Sequence, residues 1–524
     1  MNKPILFSDE VSSRTLAKMV RLGEAVRLAP GIYTTDSTKS PEAIVRSELF
    51  TIVGRLFPDA VITDRSALTS GPTGGVLYLA HDARDRDVQL PGMLVSARRG
   101  APPQSDDVPL PGGLHLASKS RGMIENSEPS RTSRRRSVSR RLSEDELAGW
   151  IDSTIQYDGA DALNKIRDRS RQIASVLGVR DTSVSKLDHL IGVAQSTRPA
   201  TSAPRVLAAR HSGRPYDPTR VERFDTLAKA LRLATPQSRR SNDGEYLSFY
   251  EAYFSNFIEG TEFTVDEASD IVYQGFEPEG RPADAHDIIG TYRIVHDVDE
   301  MSRIAQSPDE FMDLLRARHA TIMAQRPEKL PGQFKTSNNQ AGNTIFVHPD
   351  LVVGTLTEGF SRIEAMDSPW ERSVMSMFVI SEVHPFADGN GRMARVTMNT
   401  ELVAGHECRI IVPTGFRDDY LAGLRRLSRE DDPGVYIKAM RFVHDWTSGI
   451  DFRDFETART QMTDLNAFES EYGRPLQMPS SVLMDFSVAA FDANPTRLST
   501  GWVAPYKRLD GTEVRGHRRN RGRR

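Results

Sequence analysis

The spacing of apolar residues changes along this chain. Near the start, Leu16, Met19, Val20 and Leu22 recur at helical intervals behind Ser12 and Ser13, two residue types that cap helix N-termini, and Gly23 follows as a stop. Val26-Arg27-Leu28-Ala29-Pro30-Gly31-Ile32-Tyr33 then alternates around a Pro-Gly turn, which predicts a two-stranded ribbon. Residues 196–219 carry four prolines and many small residues without apolar periodicity, the composition of a linker. From 220 to about 450 the spacing is mostly helical. Trp370, Val374, Met375, Phe378, Val379 and Val383 form one helical stripe that Pro385 ends, and Met393, Val396, Thr397 and Leu402 continue a second helix as far as Gly405. Beyond 470 the pattern fades into Pro, Ser and Arg. The expected fold is mainly α, with an α/β domain over 1–195, a linker, a helical domain over 220–450 and an extension over 451–524.

Composition narrows the class without naming a function. The 524 residues, 38% hydrophobic and 27% charged, suit two to four globular domains at roughly 150 residues each. No run approaches the roughly 20 apolar residues of a spanning helix. The stretch Met1 to Asp9 turns polar too early for a secretory signal, so a cytoplasmic protein is expected, with no membrane partner. A single cysteine, Cys408, excludes an internal disulfide framework and a Cys-rich zinc site, and reads as a small buried hydrophobe. The net charge of −3 conceals two clusters: residues 131–141 and 515–524 hold six arginines each and no acid. Arginine tracts on an otherwise acidic body fit DNA or another polyanion as partner. A homo-oligomer stays open.

The chemistry concentrates in His384-Pro385-Phe386-Ala387-Asp388-Gly389-Asn390-Gly391-Arg392-Met393-Ala394-Arg395. This is a loop between two helices, and Gly389-Asn390-Gly391 opens the second. A Gly-rich turn at a helix N-terminus offers backbone N–H groups at the positive end of the dipole, a phosphate site. Arg392 and Arg395, three apart, can both address one polyphosphate. Asp388 can hold a divalent cation such as Mg²⁺ against the phosphates. His384 can take a proton from a nucleophile, and Phe386 would anchor the loop in the core. Together these groups fit phosphoryl or nucleotidyl transfer.

The same segment matches the Fic family motif, HxFx(D/E)GNGRxxR, at every defined position, so residues 220–450 resemble a Fic domain. The resemblance implies an all-helical domain with a small β-hairpin flap that transfers AMP from ATP to a protein hydroxyl. It makes His384 the base for a target Ser, Thr or Tyr and Asp388 the Mg²⁺ ligand. Gly389, Asn390, Gly391 and Arg392 would hold the phosphates, and Arg395 the γ-phosphate. Gly342-Asn343-Thr344-Ile345-Phe346 resembles the flap, on whose edge a target segment would pair by strand addition. Lys335 stands where the family pattern has arginine, and Arg417-Asp418-Asp419-Tyr420-Leu421 resembles the closing helix, read as packing.

Residues 246–258 carry a broad aromatic face at helical spacing, read as core. Ser255, Glu259 and Gly260 satisfy the pattern (S/T)xxxE(G/N) of the family's inhibitory helix, expected over 244–260. Glu259 would pair with Arg395 and take the place of the γ-phosphate. The first 190 residues resemble, through Val20 to Gly23, Arg27 to Tyr33, Ile62 to Leu68 and Leu114 to Ser118, the AbiEi antitoxins, winged-helix transcriptional regulators. The arginine-rich stretch after Arg121 departs from that pattern. The expected protein is therefore an autoinhibited adenylyltransferase joined to a DNA-binding, winged-helix-type α/β domain. The alternatives are a nucleotide-sensing DNA-binding regulator, and a Fic site that removes AMP or uses another phosphate-containing donor. A toxin–antitoxin role follows by analogy.

Overall fold

The computed structural model describes residues 4–129, 138–235, 237–242, 244–469 and 473–482, with four two-residue strands between 502 and 518. It divides into two compact units: residues 1–222 with 347–358, and residues 223–346 with the chain from 359 onward.

The first unit opens with β1 (Ile5–Phe7), α1 (Ser13–Arg21), β2 (Val26–Ala29) and β3 (Ile32–Thr34). Ser12 caps α1 by accepting from the Thr15 N–H. The three strands form one antiparallel sheet in the order β1-β3-β2. The expected ribbon is β2–β3, but among the described residues only one helix precedes it, where a helix-turn-helix uses two. Helices α2 (Pro41–Ser47) and α3 (Leu49–Leu56) follow. Then come β4 (Val61–Ile62), α4 (Arg65–Thr69), β5 (Val76–His81), β6 (Arg86–Leu90), β7 (Met93–Arg99), β8 (Val108–Leu110), β9 (Leu114–Leu116) and α5 (Lys119–Asn126). The strands β4 to β9 make a six-stranded mixed sheet, β6-β7-β5-β4-β9-β8, parallel at β5–β7 and β4–β9. Both sheets and α2–α3 share one core through Ile32, Val45, Val53, Phe57, Leu79 and Val95, so the N-terminal ribbon is not a separate module.

Beside this core lies a buried ionic cluster. Asp64, fully buried at φ 56°, receives Arg98 and Arg140, each at 3.0 Å, and Arg141. The last two arginines of the 131–141 tract are thus structural ion-pair partners. Residues 131–137 lie outside the described residues, and of the tail only the backbone at 517–518 is described. The unit continues with α6 (Glu144–Ala174), opened by a Ser143–Glu146 capping box, then α7 (Asp181–Ala194) and α8 (Arg205–His211). Helix α8 falls inside 196–219 and buries Val206 and Leu207, which corrects the reading of that whole stretch as linker. Apolar residues at 206 and 207 are too few to show periodicity beside four prolines.

Helix α9 (Pro218–Leu233) leads into the second unit. There follow α10 (Leu247–Ile258), α11 (Val265–Ser269), α12 (Pro282–His296), α13 (Val298–Met301), α14 (Pro308–Ile322), the hairpin β10 (Gln340–Ala341) and β11 (Thr344–Ile345), and α15 (Val352–Glu364), whose residues up to 358 are counted with the first unit. Helices α16 (Pro369–Val383), α17 (Asn390–Ala404), α18 (Arg417–Glu430), α19 (Gly434–Ser448) and α20 (Phe455–Asp464) complete the described helices. The aromatic face of α10 is core as expected: Phe249, Tyr250, Tyr253 and Phe254 pack with Trp446, Phe452 and Ile411. Helix α16 starts at a Ser368–Glu371 capping box and buries Trp370, Met375, Phe378 and Val379. It runs into the loop that opens α17, so this buried pair of helices fixes both ends of the 384–390 segment. No helix among the described residues is long and apolar enough to cross a membrane, and Cys408 is buried.

Candidate active site

The loop between α16 and α17 is held by its own side chains. His384 ends α16 in the left-handed region, at φ 53°. Gly389, at φ 72°, caps α17, and its N–H donates to Asp388 Oδ1 at 2.7 Å. Asn390 is turned inward: its Oδ1 accepts from Phe386 N at 2.8 Å and its Nδ2 donates to Phe386 O at 2.9 Å. Phe386 is fully buried and stacks on His319, with ring centroids 3.8 Å apart. His319 Nδ1 accepts from Gly332 N at 2.9 Å, so the proton sits on Nε2, which donates to Asp388 O at 3.1 Å. Burial holds this imidazole down at about 4, and it stays neutral.

Lys335 supports the same loop from the other side. Its buried ammonium donates to Asn339 Oδ1 at 2.7 Å and Val383 O at 3.3 Å. Asn339 Nδ2 in turn donates to Phe386 O at 2.9 Å. His319, Asn339 and Lys335 have no fixed spacing from the motif, so the sequence marks only Lys335, through its departure from the family pattern.

His384 Nδ1 faces Ser381 O at 3.3 Å, which leaves Nε2 with its lone pair as the proton acceptor. The ring stacks on Phe346 of the hairpin, centroids 3.7 Å apart. Burial is the main reason its pKa is lowered, to about 4, and Lys335 lowers it further.

Arg395 Nη2 donates to Glu259 Oε1 at 2.8 Å and to Ser255 O at 2.7 Å, and its Nε donates to Ser255 Oγ at 3.0 Å. Burial pushes the Glu259 carboxyl up, but Arg395 outweighs it and holds the carboxyl below its usual range. The carboxylate lies over the N-terminus of α17, where any Cβ on Gly391 would collide with it. Gly260 follows at φ 92°, the backbone that ends α10 just past Glu259, and Arg417 Nε holds Ile258 O at 3.2 Å. Glu259, His384, Gly391, Arg395, Phe346 and Tyr420 all line one cavity of about 650 Å³, together with Gly342, Asn343 and Thr344 of the hairpin. Tyr420 is buried in the same lining, and burial pushes its phenol above its usual value while Arg395 opposes the shift.

Other expected site residues are placed elsewhere. Arg392 is buried against Asp287 at 2.7 Å and Asn256 at 3.3 Å, whereas Arg395 is paired with Glu259. Asp287, some hundred positions upstream, carries no motif signal. Ile345 is exposed beside the cavity mouth rather than in its lining. Asp388 is half exposed, with Oδ1 taken by Gly389 N and Oδ2 3.6 Å from Lys329, and no cluster of three metal-binding side chains exists among the described residues. One carboxylate suffices for Mg²⁺ only where substrate phosphates and water complete the shell, so Asp388 fits a nucleotide-borne ion and not a resident one.

A histidine at a Gly-rich helix start, a hairpin stacked on it and an acid paired with the second arginine define a Fic-type site. Residues 311–402 match the Fic/DOC family. Curated proteins called protein adenylyltransferase Fic from Drosophila erecta and Drosophila melanogaster are each 26% identical, over 241 and 240 residues, 44% of this chain and 47% of theirs. The chain thus spans about half the length of the curated relatives it matches. Among solved structures, Fic-1 from C. elegans aligns with 61% of this chain and 99% of its own at 16% identity and a TM-score of 0.34. A Fic domain containing signaling protein from Bacteroides thetaiotaomicron aligns with 49% of this chain and all of its own at 16% identity and a TM-score of 0.33.

Proposed function

We propose that this protein is an autoinhibited adenylyltransferase that moves AMP from ATP to a Ser, Thr or Tyr hydroxyl of a protein, or of itself. The observation that carries this reading is the meeting of His384, the α17 N-terminus and the Arg395–Glu259 pair in one cavity. The names of the curated relatives support the same chemistry.

In this reading the α17 N-terminus and Arg395 bind the polyphosphate. Asp388 would hold Mg²⁺ carried in on it, and the ion would neutralise charge on the phosphates. The target hydroxyl, presented along the hairpin, gives its proton to His384 Nε2 as its oxygen attacks the α-phosphorus. The bond to the bridging oxygen breaks and pyrophosphate leaves. With Glu259 in place, ATP settles with its α-phosphate out of line for attack.

The test uses ATP labelled at the α or the γ phosphate, with wild type, Glu259→Gly and Glu259→Gly/His384→Ala. Label from the α position only, strong in Glu259→Gly and absent from the double variant, is the expected outcome. Label from the γ position would move the reaction to phosphoryl transfer. Labelling in none of the three would move the reading to another donor or to AMP removal.

For the first unit we infer a nucleic-acid-binding role. Arg14, Lys18 and Arg21 form an exposed stripe on α1, a helix without an acid. Binding of the full chain to labelled DNA should weaken steeply with salt and be lost when the three are changed to glutamate. Binding that ignores both changes overturns this role.

A further inference from the structure

The catalytic cavity has a cationic wall that neither the phosphate nest nor the proton transfer uses. Arg417, Arg425 and Arg429 of α18 line it from one side, and Thr344 and Asn343 of the hairpin approach the same wall. Arg429 donates to Thr344 Oγ1 at 2.8 Å and so ties the wall to the hairpin. Arg425 is exposed and has no partner among the described residues. Arg425 and Arg429 are four apart and share a helix face. The acids lining the cavity do not answer this charge: Glu259 is held by Arg395 and Glu382 by Arg223 at 2.7 Å. Exposed Ile345 on the hairpin adds an apolar contact at the cavity mouth.

From this juxtaposition we propose that the segment docked beside the hairpin is acidic, a hydroxyl residue flanked by Asp or Glu whose carboxylates meet Arg425 and Arg429. This rests on the hairpin's role in the proposed function and adds the chemistry of the target. A guanidinium left open at the mouth of a transfer site costs nothing in water and gains one charge-assisted hydrogen bond when a carboxylate arrives. Like charges on a lysine-rich segment would be repelled from the same wall, so the device discriminates as well as attracts.

The test is direct binding to full-length wild-type protein, in which Glu259 covers the phosphate nest. Three fluorescent peptides with one central threonine are compared by anisotropy, flanked by Asp and Glu, by Asn and Gln, or by Lys. The acidic peptide should bind about tenfold tighter than the neutral one, and lose that advantage as salt rises to about 0.5 M. Arg425→Glu should remove the preference, and Arg425→Lys should retain most of it. Arg417 is left unchanged because it holds α10. Equal binding of the three peptides overturns the proposal, and so does a preference that survives Arg425→Glu. Competitive displacement of the acidic peptide by ATP overturns it as well, since the arginines would then serve the nucleotide. Charge-selective binding without AMP transfer in Glu259→Gly supports the acidic target and removes the reaction assigned above.

Discussion

The Glu259 carboxylate and the start of α17 at Gly391 compete for one small space, and a Cβ at 391 would overlap Oε1. Only glycine lets an anion come this close to the helix end, whether carboxylate or phosphate. Charge and shape can be separated here. Glu259→Gln keeps the volume and can still accept from Arg395, but its pull on Arg395 is weaker. The initial rate of α-label incorporation should therefore rise in the order wild type, Glu259→Gln, Glu259→Gly, with the glycine variant up on the order of 10²-fold. Equal rates in all three would show that nucleotide placement does not depend on this acid.

His384 titrates low, about 4, chiefly because it is buried. In its proposed role as base it stays unprotonated through neutral and mildly acid pH. In Glu259→Gly the acid limb of the transfer rate should stay flat down to pH about 5.5, where an ordinary imidazole near 6.5 would already have lost most of its activity. A half-maximal rate near 6.5 would remove His384 as a buried base.

Stability carries the opposite side of the same effect. His319 and His444 are fully buried with pKa values held at about 4 by burial. Unfolded, each takes up a proton near 6.5, so between these values the unfolded state binds more protons. Stability falls as pH drops from 6.5 towards 4, by a few kcal/mol at most for each imidazole. The midpoint of urea unfolding of the second unit, followed by tryptophan fluorescence, should decline over that window. A midpoint constant from pH 7 to 4.5 would contradict the burial of both rings.

Lys335 takes the place of an arginine in the family pattern and sits under the 384–390 loop. Lys335→Met removes the donor to Val383 O and Asn339 Oδ1 and also a positive charge that lowers the His384 pKa. In the Glu259→Gly background, kcat should fall about tenfold while KM for ATP stays within about twofold. The acid limb should move up towards 6.5, which a purely structural support would not cause. Lys335→Arg should restore both, and an unmoved acid limb would refute the electrostatic part.

The loop and its flanking helices were legible because their signals are local: a glycine-rich turn, Pro385 after an apolar stripe, and four-residue spacing from Ser255 to Glu259. The partners were not. Asp287 with Arg392, His319 with Asp388 O and Asn339 with Phe386 O are long-range pairs whose residues carry no periodicity of their own. They also set the pairing of the two motif arginines, Arg392 with Asp287 and Arg395 with Glu259, which spacing alone does not reveal. The six-stranded sheet was hidden for a different reason. Strand β4 has two residues, and its parallel pairing with β9 depends on segments more than fifty positions apart. Composition reads the arginine tract as either a polyanion site or solvated arginines, and does not reveal that Arg140 and Arg141 pair with Asp64.

Asp64 makes a separable prediction about that tract. It is fully buried and faces Arg98, Arg140 and Arg141, while its backbone O accepts from Asn126 Nδ2 at 2.8 Å. Burial opposes its charge, but the arginines win and hold the carboxyl far below its usual range. Asp64→Ala would leave three guanidinium groups clustered without their shared acid, at a cost of roughly 3–5 kcal/mol to the first unit. Asp64→Asn should be intermediate, because it can still accept two hydrogen bonds. Limited trypsin digestion should then cut after Arg140 and Arg141 far faster than in wild type, since these two arginines lose their anchor. AMP transfer by the Glu259→Gly form should be unaffected, because Asp64 takes no part in that site. Unchanged cleavage after Arg140 and Arg141 in Asp64→Ala would show that this pair is fixed by other contacts, such as Leu142 N on Asn126 Oδ1.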